Sequence, residues 1–388
     1  MNFSEYFEPF DLSVYPALLP VHGSLGEKVQ QVSDLSEILL GGYKLVVIGV
    51  PEGRNAINNH GCGDAPDKVR RQLYSLYPDE CAPDIADIGN LVHCSSPEET
   101  YYKLQEVVET LLKSDLFPII IGGGNELGYI QYKAYASLEQ MVTLVSADSG
   151  FDFGHLGGPF NSQSYTERII TDEPTHLYTY GNIGYQSYYT DPEIIRMMEK
   201  LNFDIHRLGN ARGNIDHLEP VLRNADLLLV DISVVKGSDA PANGNASPNG
   251  LYAKEACKLM KYAGMSDKLS SLGMYEYNPL LDPTGITAKL VAQMLWCFIE
   301  GYYNRKGDYP IGDVKNYQKF IVETTRNEEP FVFYKSNKSG RWWIEAPKTG
   351  AYAHHNHRQR LVPCNYADYE MASRDVVPDT WWAHMLKS

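Results

Sequence analysis

The chain has no run of apolar residues long enough to cross a bilayer. Its longest, such as LFPIII at 116–121, fall far short of the ~20 residues a membrane helix needs. Positive charge is also in deficit. Lys and Arg number 34 against 49 Asp and Glu, a formal charge of −15, and no basic stripe interrupts the pattern. Phosphate backbones would repel such a surface, so nucleic acid is excluded as an expected partner. The six cysteines (Cys62, Cys81, Cys94, Cys257, Cys297, Cys364) are scattered and form no CxxC pair. That argues against a disulfide framework or a zinc cluster and for reduced thiols, several of them buried. The opening stretch, MNFSEYFEPFDLSVYPALLP, lacks the basic and apolar regions of a signal peptide. The expectation is a cytoplasmic protein without membrane association. Internal repeats and low-complexity linkers are missing too. What remains, 43% hydrophobic and 21% charged residues, is globular and not disordered. Tyrosine is abundant at 28, a composition suited to packing and partner contacts.

The chain divides into a lead-in (1–40), a periodic region (41–304) and an aromatic extension (305–388). In the periodic region, strands are read at 44–50, 117–124 (running into three glycines), 141–153 (with acidic residues at its carboxyl end), 175–186, 225–235 and 270–279. Between them lie segments with helical spacing, among them 98–114, 191–203, 251–263 and 284–303. Asp64, followed by Pro66, is placed to cap another. Strands alternating with helices predict an α/β fold, a mainly parallel sheet covered on both faces in three layers. Ligands of such sheets bind beyond the carboxyl ends of the strands. GGGN (122–125), DSGFD (148–152), DIS (231–233) and EYNP (276–279) all stand there.

Asp148, Asp152 and Asp231 thus sit at strand ends, where three carboxylates could converge on a hard cation such as manganese or magnesium. Strand-end aspartates equally cap helices and turns. Gly-rich turns such as GGGN often serve close backbone approach alone.

The order of these segments resembles the ureohydrolase superfamily of arginase, agmatinase and formiminoglutamase (formimidoylglutamase) from about 44 to 303. The family's GGGH stands here as GGGN, with Asn125 in the histidine's place. Its DAHxD stands as DSGFD, where Asp148 and Asp152 match the aspartates and Gly150 replaces the histidine. Its SxDxDV stands as LVDISV, where Asp231 matches the first aspartate and Ser233 replaces the second. APANGNASPNGL (240–251) is similar to the family's proline- and glycine-rich loop, and VIGVPEGRNAINNHGCGDAPDKVR to its first strand, loop and helix. MYEYNP (274–279) matches the segment whose glutamate, here Glu276, contacts the substrate's amidine group, and GNIGYQ (181–186) favours the formiminoglutamase branch. The resemblance implies an arginase-like fold and a homo-oligomer. It also implies two-manganese hydrolysis of a linear amidine C–N bond, as in N-formimino-L-glutamate, arginine or agmatine.

This chain keeps three of the family's six ligand positions. Asn125, Gly150 and Ser233 fill the others, so the resemblance implies an incomplete centre: no ion, or one weakly bound divalent cation, and not a manganese pair. The expected function is a catalytically impaired binding or assembly protein, the alternative an active hydrolase with a reduced metal site. Asp148 and Glu276 are the candidate catalytic groups, with His155 as a proton shuttle or a plain loop histidine. Asn125, Ser149 and Glu276 are the candidate contacts to a small cationic amidine or guanidine. Lys236, just past Asp231, is a candidate cation to replace metal, or else a solvated loop lysine.

In the extension, NEEPFVFYKSNKSGRWWIEAP reads as a hairpin about NKSG. The run His354, His355, His357 reads as a surface loop in preference to a metal site. Trp342, Trp343, Trp381 and Trp382 are expected to pin the tail to the main domain, with a protein-partner surface as the sharper alternative.

Overall fold

A computed structural model describes residues 3, 5–10, 22–78, 84–155, 157–309, 315–325, 329–346 and 361–387. Ten strands form the central sheet: Phe7–Glu8 (β1), Gln30–Gln31 (β2), Leu45–Gly49 (β3), Ile85–Leu91 (β4), Phe117–Ile121 (β5), Val142–Ala147 (β6), Leu177–Tyr185 (β7), Asp204–Arg207 (β8), Leu227–Asp231 (β9) and Ser271–Tyr275 (β10). Their order is β1-β4-β3-β5-β10-β9-β6-β7-β8, with β2 also on β4. Every pairing is parallel except that of β1 with β4.

The apolar runs are continuous because both faces of the sheet are buried. Along β3, Leu45 and Val47 join one core while Val46 and Ile48 join the other. Along β9, Leu228 and Val230 alternate with Leu227 and Leu229 in the same way. Helices Ala65–Tyr74, Ala253–Gly264 and Ile286–Tyr303 cover the first face, and Pro97–Lys113, Leu127–Lys133 and Tyr165–Thr171 the second. The result is the expected three-layer α/β/α arrangement, and no described helix is long and apolar enough to cross a membrane.

Some local expectations need correction. Asp64 makes no capping bond to the helix it precedes, because the chain enters that helix through a 3-10 turn, His60–Asp64. The lead-in also contributes to the sheet: β1 and β2 both pair with β4. β4 itself carries a fully buried Asp87, compensated by an equally buried Arg70 whose Nε and Nη2 donate at 2.8 and 2.9 Å.

The extension forms a second, four-stranded antiparallel sheet from Tyr317–Val322 (β11), Phe331–Ser336 (β12), Trp342–Glu345 (β13) and Leu361–Cys364 (β14). β12 and β13 are the hairpin about NKSG. This sheet has its own small core containing Phe331, Phe333, Trp342 and Ile344, with Trp381 packed against it. It docks on the main domain through Arg223, which is 2% exposed. The Arg223 guanidinium lies 4.3 Å from the Trp343 ring centroid and donates to the Cys364 carbonyl at 2.9 Å. Trp382, by contrast, is 50% exposed. His354, His355 and His357 lie outside the described residues.

Candidate functional site

Four adjacent strands in the middle of the sheet, β5-β10-β9-β6, end on one cleft of about 610 Å³. Each contributes acidic or amide groups at or just past its end: Asn125, Glu276, Asp231, and the Asp148–Asp152 pair. Residues up to 151 positions apart in the chain meet there because the parallel topology sets every strand's carboxyl end on the same edge.

The turn after β5 is tight enough to need its glycines. A Cβ on Gly123, whose φ is 80°, would lie 2.3 Å from the Leu127 side chain and 2.6 Å from the Glu52 carbonyl. That turn sets the Asn125 backbone N–H on Glu276 Oε1 at 3.0 Å. Glu276 itself has a left-handed φ of 65°. Its backbone is held by the Gly123 carbonyl, and its own carbonyl accepts from Asn59 and Asn243 at 2.8 and 2.9 Å. Its Oε2 accepts from Asn59 Nδ2 at 2.6 Å. Glu276 thus lines the cleft while also fixing the turn that carries Asn125.

Ligand atoms of Asp148, Asp152 and Asp231 all lie within 4.8 Å of one another. Asn125 Nδ2 donates to Asp231 Oδ2 at 2.7 Å and Asp152 Oδ2 at 3.1 Å. Asp148 Oδ1 accepts from the Gly150 amide at 3.0 Å and from the Ser233 hydroxyl at 3.4 Å, whereas its Oδ2 is buried with no partner. Ser149 and Ser233 share a hydroxyl contact of 3.0 Å. His155 is exposed and lines the cleft. Lys236 is not brought to the aspartates: its Nζ lies 5.4 Å from the Tyr252 ring centroid, and it does not line the cleft. It therefore does not stand in for metal. No lysine or arginine among the described residues lines the cleft.

This concentration of buried carboxylates favours their protonated forms. Burial, then the charges of Asp148 and Asp231, push Asp152 well above the usual carboxylate range. Burial, then Asp148 and Glu276, do the same to Asp231. Asp148 is raised by burial against the hydrogen bonds it accepts. Glu276 is pushed up to about 7, chiefly by burial. Beneath it Glu126, fully buried with Oε2 unpartnered, rises to about 8 through burial and the Glu276 charge.

These directions set a pH dependence. The folded chain keeps protons that the unfolded chain releases near pH 4.5, so folding takes up protons between there and about pH 8. Stability of the metal-free protein should therefore fall as pH rises through that window, and manganese or magnesium should restore it by replacing the protons. Thermal melts from pH 5 to 8, with chelator and with added cation, check this. A melting temperature that rises toward pH 8 in chelator would contradict it.

Asn59 and Asn243 are central here, yet no residue pattern singles them out. Their only sequence signal is a cluster of side-chain amides in two loops, NNHG and PANGN.

A model of the arginase family matches residues 43–300. The formimidoylglutamase of Bacillus subtilis (strain 168) is 24% identical over 275 residues, covering 66% of this chain and 86% of that protein. That of Staphylococcus haemolyticus (strain JCSC1435) is 26% identical over 287 residues, covering 70% and 89%. Among solved structures, the Bacillus subtilis formimidoylglutamase superposes with a TM-score of 0.64 at 20% identity, covering 73% of this chain and 92% of that one. Trypanosoma cruzi formiminoglutamase, solved with Mn2+, gives 0.63 at 21% identity, covering 68% and 95%. The proclavaminate amidino hydrolase from Streptomyces clavuligerus gives 0.59 at 20% identity, covering 68% and 92%.

Proposed function

Since the chain belongs to the arginase family, we propose that it keeps the family's cleft as a binding site for one divalent cation and a small cationic amidine or guanidine, with two-metal hydrolysis lost. One observation carries this reading: three carboxylates converge within 4.8 Å, and among the described residues no imidazole or fourth carboxylate joins that group, Asn125 and Ser233 bonding to it instead. The buried Asp148 Oδ2, with no hydrogen-bond partner, is available to such an ion as a ligand. An all-oxygen set suits manganese or magnesium over softer metals.

Asp148, Asp152 and Asp231 would hold the ion. Its chemistry there is to neutralise their charge and to lower the pKa of a bound water. The chain's own groups do the rest. The Asn125 amide orients Asp152 and Asp231. The Glu276 carboxylate, set by Asn59 and the Asn125 amide, offers charge-assisted hydrogen bonds to an amidinium. Burial keeps water from competing for them.

Chelator-stripped protein titrated with manganese should bind one ion per chain. Asp231→Asn should weaken that binding by tenfold or more. Assays with N-formimino-L-glutamate, arginine and agmatine should release no formamide or urea above background. Two ions per chain with turnover would overturn the reading.

A second reading, an active hydrolase of a linear amidine with a reduced metal site, is supported by the open cleft and by Glu276 on its wall. In it Asp148 or Glu276 acts as base. Turnover with one bound ion, abolished by Asp148→Asn, would select this reading over the first.

A further inference from the structure

Away from the cleft, helices Ala253–Gly264 and Ile286–Tyr303 pack against the same core on one face of the sheet. A Cβ on Gly264 would lie 2.1 Å from the Phe298 carbonyl, and one on Gly301 2.4 Å from the Lys261 carbonyl. With nothing but hydrogen at those positions, the backbones approach until the side chains one or two turns earlier meet across the seam. Two of these are cysteines. Cys257 and Cys297 interact there and line the same cavity.

Both residues are half-buried and line a cavity of about 330 Å³ with Leu76, Tyr77, Gln293 and Trp296. The pair is therefore accessible to a small molecule. The Trp296 indole N–H donates to the Tyr77 carbonyl at 2.7 Å, which holds the ring on the cavity wall. The Cys257 thiol, and after it the Lys261 ammonium, lower the Cys297 thiol against burial and the Glu300 charge, while Cys297 and burial raise that of Cys257. Cys62 and Cys364 present the opposite case. Both are buried, and burial pushes their thiols well up. Thiols in that environment are inert, whereas an accessible thiol favoured as thiolate is the one that reacts.

We propose that Cys257 and Cys297 form a redox-active dithiol, oxidised to an interhelical disulfide by small-molecule disulfides of the glutathione type that enter this cavity. The Cys297 thiolate attacks one sulfur of the small disulfide. The bond between its two sulfurs breaks, one thiolate leaves, and a mixed disulfide remains on Cys297. Cys257 then loses its proton and attacks the Cys297 sulfur, expelling the second thiolate. The protein dithiol is oxidised by two electrons and one disulfide is reduced to two thiols, so the exchange balances.

The test uses the full chain, reduced and then exposed to oxidised glutathione. Two alkylatable thiols per chain should disappear, peptide mapping should find a single 257–297 link, and dithiothreitol should restore both thiols. Tryptophan emission should change reversibly, and Trp296→Phe should remove most of that change. Cys257→Ser should trap one glutathione on Cys297, whereas Cys297→Ser should leave Cys257 unmodified at the same concentration. No loss of thiols in the unmodified chain, a link between other cysteines, or equal adducts in the two variants would each overturn the proposal. The mapping on the unmodified chain stands even if a variant fails to fold.

Discussion

The triple variant Asn125→His, Gly150→His, Ser233→Asp should raise manganese binding from one ion per chain to two. The backbone is already placed for the change. A Cβ on Gly150 meets only ordinary contacts, 3.9 Å to the Asp152 amide and 4.0 Å to its Oδ1. Ser233 Oγ already sits 3.4 Å from Asp148 Oδ1, so a carboxylate there would face the same space. Asn125 reaches both Asp152 and Asp231, so an imidazole in its place lies within range of the same ions.

Without metal the variant should suffer. It adds a fourth acid to a buried cluster and removes the amide that donates to two of the others, and each lost donor costs about 1–3 kcal/mol. With manganese at about 1,000 times its dissociation constant, one site alone returns about 4 kcal/mol. The melting temperature should therefore drop in chelator and rise above that of the unmodified chain in manganese. If formamide or urea release then appears where there was none, the unmodified chain has lost a two-metal mechanism. If the unmodified chain already turns over and the variant turns over less, the one-metal hydrolase is the better reading. Metal analysis and the release assay on the same preparations decide between them.

What could be read from the residues follows from where their side chains point. Strands β3, β5, β6, β9 and β10 are buried on both faces, so they are mostly apolar and stand out even where β6 carries Thr143 and Ser146. β4 is equally buried yet does not stand out, because IADIGNL carries Asp87 and Asn90 in its middle. Their compensation comes from Arg70, on a helix 17 residues earlier, which no local pattern reveals. β8 is short and half-exposed at the sheet edge, with no face to advertise. In the extension, the NKSG turn marks β12 and β13, while β14 is masked by Pro363, which is tolerated because β14 ends the sheet.

The site divides in the same way. Its carboxylates were legible because each follows a buried strand, and parallel strands end on one edge. Their mutual distances, the Asn59 and Asn243 amides that pin Glu276, and the direction Lys236 takes toward Tyr252 depend on loop paths. Loop paths are set by backbone hydrogen bonds between distant segments, such as the Asn278 amide to the Ala242 carbonyl. Spacing along the chain carries no trace of them.

The largest loss of stability should come from Asp87→Ala, well away from the cleft. Arg70 and Asp87 are both 0% exposed and joined by two hydrogen bonds, at 2.8 and 2.9 Å. Tyr74 also donates its hydroxyl to Asp87, and the Gly89 amide donates to it at 2.9 Å. Removing the carboxylate leaves a guanidinium in the core with the Gly89 carbonyl, the Asn90 side chain and, at 3.6 Å, the partly exposed Asp67 to receive it. It also strands the Tyr74 hydroxyl. Breaking a buried pair from one side in this way costs about 3–5 kcal/mol, because the surviving charge keeps only the longer, partly exposed contact with Asp67. Replacing both partners with apolar groups, Arg70→Met with Asp87→Leu, should cost much less than Asp87→Ala alone, since no orphaned charge remains. Urea unfolding midpoints of the single and double variants measure the difference. Manganese stoichiometry should stay at the unmodified value in whatever fraction folds, because neither residue lines the cleft. A double variant as unstable as the single one would mean that the pair's geometry, not its charge balance, is what β4 requires.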